Sequence, residues 1–139
     1  MRKLGIIAVL SLMALALAAV PSIAAGSPHF IKSATNASVD QGGNLVVNFK
    51  EGGLSSGSVE TITLSGTGTA DYQCFDNGGK HPRAANKETV SAFSSSTGQF
   101  TVQNGSVIGT LMLEPPEPGD FSCPSGQTLV GPTNVSYLL

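Results

Sequence analysis

The chain has 139 residues, with seven Lys and Arg, nine Asp and Glu and a formal net charge of −2. That length allows one domain and is too short for a TIM barrel or a complete dinucleotide-binding fold. Charged residues make up only 12% of it, and without clustered Lys and Arg it lacks the phosphate-neutralising surface that nucleic acids require.

Arg2 and Lys3 precede an apolar run from Leu4 to Val20, and small residues follow at Ser22, Ala24, Ala25 and Gly26. This is the order of a secretory signal peptide. Residues 1–25 are therefore expected to be removed, leaving 26–139 as a single domain. The run is short for about 30 Å of hydrocarbon, and no later segment is apolar enough to span a bilayer. A secreted, extracellular protein with no membrane contact is expected. Two of the cations leave with the leader, so what remains is acidic.

In that remainder apolar residues recur at every second position, the mark of half-buried strands, and no stretch keeps helical spacing. A first strand is expected over Phe30 to Val39, with a turn at Gln41-Gly42-Gly43. Asn44 to Lys50 then puts Leu45, Val47 and Phe49 on one face. The Gly- and Ser-rich stretch from Gly52 to Ser58 reads as a turn. Val59 to Ser65 places Ile62 and Leu64 on one face with Thr61 and Thr63 opposite, and Gly66-Thr67-Gly68 reads as a turn before a strand Ala70 to Cys74. A weaker strand follows at Thr89 to Phe93, then a turn at Ser94 to Gly98. Phe100 to Gln103 and Ser106 to Leu113 flank Asn104-Gly105, the pair that best suits a two-residue hairpin turn because both positions need positive φ. Val135 to Leu139 closes the chain as a strand. Seven or eight short strands predict an all-β, antiparallel two-sheet β-sandwich, immunoglobulin-like in architecture, with a small β-barrel as the alternative.

Cys74 and Cys123 are the only cysteines. In an oxidising compartment such a pair reads as one disulfide. It would close a loop of about 50 residues, worth roughly 4 kcal/mol on the chain-entropy account, and would tie the two sheets together. Two long loops lie near it. Residues 76–88 carry Asp76, Lys80, His81, Arg83 and Lys87. Residues 114–126 carry Glu114, Glu117 and Asp120, interleaved with Pro115, Pro116 and Pro118. Long loops on a rigid sandwich are where binding usually resides, so these eight residues are the candidate binding set.

The remaining motifs point away from catalysis. Gly53-Leu54-Ser55-Ser56-Gly57 has the form of a nucleophile elbow, but strand-like alternation follows it where a helix is required. His29 and His81 have no nucleophile at short spacing. Glu114, Glu117 and Asp120 are oxygen ligands of the kind Ca²⁺ takes, but the prolines spread them apart. No metal, nucleotide or haem motif is present, and no cofactor is expected. Asn36, Asn104 and Asn134 each open an N-x-Ser glycosylation pattern, which matters only on a eukaryotic secretory route.

Several stretches together carry a likeness: the basic leader, the Ser27-Pro28-His29-Phe30-Ile31 start, Cys74 followed by Asn77-Gly78-Gly79, Pro82 and Asn86-Lys87, and Phe121 to Gln127 followed by Val135-Ser136-Tyr137. On these the chain resembles a group of small secreted bacterial proteins of actinomycete type whose function is unknown. The resemblance implies export, a β-rich domain and a Cys pair, and no activity. In size and Gly/Thr-rich style the chain is also similar to the apoproteins of antitumour chromoproteins, at the level of architecture alone. The functional expectation is a monomeric, non-catalytic secreted or envelope-associated module that binds an extracellular protein or cell-wall component. The alternatives are a protease inhibitor presenting a disulfide-anchored loop and, behind it, a small hydrolase.

Overall fold

The computed structural model describes residues 26–76 and 86–139 in full and residues 82–85 as backbone. The leader, the Asn77-Gly78-Gly79 turn, Lys80 and His81 lie outside the described residues. Among the described residues seven strands run β1 (His29–Phe30), β2 (Asn36–Val39), β3 (Leu45–Gly52), β4 (Val59–Phe75), β5 (Pro82–Thr101), β6 (Ser106–Leu113) and β7 (Thr128–Leu138). They form two antiparallel sheets that do not close into a barrel, so the chain is a β-sandwich. In the first sheet β3 lies between β6 on one side and β1 and β2 on the other; in the second β4 lies between β5 and β7.

The period-two pattern is faithfully expressed. Leu45, Val47 and Phe49 of β3 face Ile62 and Leu64 of β4, with Leu54, Val102, Val107, Leu111 and Leu113 completing the core. Phe49 sits at its centre with two edge-to-face ring contacts, at 5.2 Å to Phe100 and 6.0 Å to Phe30. Rings prefer this geometry because positive edge meets negative face. It fills the space between sheets in a chain that has no Trp.

Four expectations are corrected. The first strand is broken by a 3₁₀ turn at Lys32–Ala34 into β1 and β2, both of which pair with β3. Gly66-Thr67-Gly68 is not a turn, because β4 runs straight through it. The glycines serve close approach instead. A Cβ at Gly66 would lie 2.7 Å from Leu139 Cδ2, and one at Gly68 would lie 3.0 Å from Pro116 Cδ and from Tyr137 Cε1. Ser94 to Gly98 is likewise strand, inside a β5 that already begins at Pro82, so residues 82–88 are strand and not loop. Here polar Ser and Thr on an outward face had the composition of a turn. Asn104-Gly105, by contrast, is the two-residue turn expected, with φ of 50° and 75° and reciprocal Gln103–Ser106 backbone bonds of 2.9 and 3.0 Å. The strands it joins then separate, β5 into one sheet and β6 into the other.

The two sheets are unequal. β4 has 17 residues and β5 has 20, whereas β3 and β6 have 8 each. At about 3.4 Å per residue the second sheet extends well beyond the first. The inner face of this overhang is Ala70, Tyr72 and Cys74, all buried. What covers it is the irregular segment 114–127: Pro116 is buried over Gly68 and accepts a 2.7 Å bond from the Tyr72 hydroxyl, and Cys123 bonds covalently to Cys74. The disulfide, with a Cα–Cα distance of 5.6 Å, therefore joins the second sheet to this strap and does not join sheet to sheet as the spacing suggested.

Candidate functional site

The strap is held at three points. Besides the Tyr72–Pro116 bond and the disulfide, Asn86 Nδ2 donates to Gln127 Oε1 at 2.9 Å. Between these anchors its inward residues are Pro116 and Cys123, while Glu114, Glu117 and Asp120 are exposed. Glu117 is close enough to raise the Tyr72 phenol, secondary to the burial that does most of the raising. Ordering so irregular a segment requires these anchors, since buried backbone without them would leave polar groups unpaired.

The candidate set is not one cluster. Lys87 lies on β5 opposite Gln73, on the outer face of the second sheet, and its ammonium is 3.3 Å from Asp71 Oδ2. The strap covers the inner face of that sheet. Asp76 is half-buried at the end of β4, and Arg83 belongs to β5 as backbone. Lys87 thus has a structural partner that sequence spacing did not suggest.

Asp71 is the polar centre of the outer face. It accepts from the Thr89 hydroxyl of β5, from Asn134 Nδ2 of β7 at 2.9 Å, and from Lys87. These bonds, Thr89 first, hold its carboxyl below the ordinary 3.8. A lowered carboxyl contributes stability above its unfolded value and loses it as pH falls through the folded value. Asp71→Asn is therefore expected to flatten the acid limb of the melting-temperature profile between about pH 2 and 5, followed by circular dichroism. An acid limb identical to wild type would show that the three bonds contribute nothing.

Sequence reasoning missed two features. Glu51 continues the Leu45, Val47, Phe49 alternation inward and is 2% exposed. Its Oε2 has no hydrogen-bond partner among the described residues. The second is an outer face of alternating hydroxyls, Thr61, Thr63, Ser65, Thr67 and Thr69 on β4 against Gln99, Thr97, Ser95, Phe93 and Ser91 on β5, tied by Thr63–Thr97 and Thr69–Ser91 bonds of 2.8 and 2.9 Å. The signal for both was the same alternation, carried two residues past Phe49 and through Gly66 and Gly68. Tyr72 and Tyr137 are structural: the Tyr137 hydroxyl donates to Gly43 O at 2.7 Å. Ser55 and Ser56 lie in the β3–β4 connection, where Ser56 Oγ accepts from Gly105 N at 2.8 Å. Among the described residues, no group of three His, Cys, Asp or Glu is placed to hold a metal ion, and no helix is long and apolar enough to cross a membrane.

Comparison with protein-family models, with curated proteins and with solved structures returns no match.

Proposed function

We propose that the chain is a secreted, non-catalytic binding module whose strap, residues 114–127, is the surface offered to an extracellular protein or cell-wall component. The observation that carries this reading is the three-point anchoring of a segment whose acidic side chains all face solvent. A loop already held in one conformation loses less freedom on binding, which raises affinity without new contacts. Three carboxylates on it favour a cationic partner surface and a fast, salt-sensitive encounter. The disulfide and the absence of a membrane-crossing helix among the described residues are in keeping with an extracellular location.

The test is capture from culture supernatant and cell-wall fractions, comparing wild type with Glu114→Ser/Glu117→Ser/Asp120→Ser. These side chains are exposed, so the fold is expected to persist. A partner retained by wild type at low salt and lost from the variant is the expected result. Equal retention by both removes the strap from the binding surface. The same anchoring supports the second reading, a protease inhibitor, because rigid disulfide-held loops resist cleavage. Inhibition of a secreted protease that disappears on strap replacement would favour it over the first.

A further inference from the structure

β5 is an outer strand. It pairs with β4 on one side and has no strand partner on the other among the described residues. Such an edge presents a row of unpaired N–H and C=O groups, and proteins usually blunt it with charge, proline, bulges or brevity. The other edges here are treated in that way or are short. β1 and β2 have two and four residues and are interrupted by a 3₁₀ turn. β7 carries Pro132, a left-handed Asn134 and two register shifts against β4. β6 has 8 residues. β5 has 20, and from Thr89 to Thr101 it contains no Lys, Arg, Asp, Glu or Pro. Within that uncharged run Phe93 is 70% exposed, an aromatic ring set in a row of hydroxyls.

We propose that this edge is completed by a second copy of the same chain, β5 pairing antiparallel with β5 about a two-fold axis at Phe93. The occupant follows from the edge's own chemistry. In that register the two Phe93 rings stand directly opposite, a cross-strand aromatic pair of the stabilising kind. Ser91 meets the partner's Ser95 and Thr89 meets the partner's Thr97, hydroxyl against hydroxyl. Lys87 falls opposite the partner's Gln99 and Glu88 opposite the partner's Gly98, so no like charges meet. A two-fold contact of this kind is closed and stops at two copies, giving one continuous six-stranded sheet. The inference goes beyond the binding role of the strap, which covers the other face of the sheet and stays accessible.

Residues 26–139 contain every strand described and are the material for the test, sedimentation equilibrium over a concentration series. The expected result is a reversible monomer–dimer system with dimer predominant at about 0.1 mM. Phe93→Lys places a charge against itself at the axis, and Ser95→Lys places one two residues along, opposite the partner's Ser91 and diagonal to the partner's Phe93. Both sites are exposed, so each variant is expected to keep the wild-type dichroism spectrum while sedimenting as a monomer. Hydrogen exchange is expected to show β5 amides more protected in the wild-type dimer than in either monomeric variant. A monomeric wild type at that concentration, a dimer that survives both lysines, or open-ended larger species would each overturn the proposal.

Discussion

Replacing Cys74 and Cys123 together by alanine is expected to lower unfolding stability by about 2–5 kcal/mol, a large share of the 5–15 kcal/mol of an ordinary domain. The bond spans 49 residues of sequence, so its loss enlarges the unfolded ensemble. The structure adds a local consequence. Cys74 is fully buried beneath the strap, and without the bond the Tyr72–Pro116 and Asn86–Gln127 hydrogen bonds are what tie that cover to the second sheet among the described residues. Hydrogen exchange in the double variant should therefore rise first along residues 70–75 and 128–131, before the two-sheet core over Leu45, Phe49 and Ile62 opens. Denaturant melts give the magnitude, and exchange gives the order. A loss of stability below about 1 kcal/mol, or exchange rising first in the core, would contradict this picture.

Glu51→Met is expected to stabilise the protein by about 1–3 kcal/mol at neutral pH, the range for relieving a buried polar group that lacks a partner. Methionine is unbranched, similar in length and adaptable to an irregular gap. Glu51 lies in β3 between Phe30 of β1 and Val107 of β6. Burial raises its carboxyl above the ordinary 4.5, the Glu60 charge from β4 raises it further, and His29 of β1 acts in the opposite sense. For an acid raised in the folded state, the folded form holds a proton that the unfolded form releases. Its contribution is fully present below about pH 4.5 and is lost as pH climbs through the folded value. Wild type should thus melt at progressively lower temperature as pH rises above about 4.5, whereas Glu51→Met should lack that decline. Parallel profiles for the two proteins would mean that Glu51 does not hold its proton in the folded state.

The core was legible because period two is enforced wherever one face of a strand is buried. Leu45, Val47, Phe49, Ile62 and Leu64 declare themselves, and so does Asn104-Gly105, where positive φ restricts the choice of residue. Strand length was not legible. Gly66, Gly68 and Ser94 to Gly98 have the composition of turns, and only the neighbouring Leu139, Tyr137 and Pro116 explain why small residues belong inside a strand there. The candidate site suffered from the same cause. Splitting β5 made residues 82–88 look like a loop, which grouped Lys87 with the loop cations as a binding residue when its ammonium pairs with Asp71 across the ladder. Glu51 was hidden because a carboxylate on an apolar face ordinarily ends the pattern. The strap itself was read correctly as irregular and anchored at Cys123, but its role as a covering layer depends on the unequal lengths of the sheets.

That inequality divides the formation of the fold into stages. Facing β3 and β6, the lower part of β4 assembles by apolar burial alone and needs no oxidant. The upper part acquires its roof by a covalent step, and thiols stay reduced in the cytosol. While Cys74 and Cys123 stay reduced, the chain would hold a finished hydrophobic body beneath an unroofed ribbon, and the cover over Ala70, Tyr72 and Cys74 would lock only on oxidation.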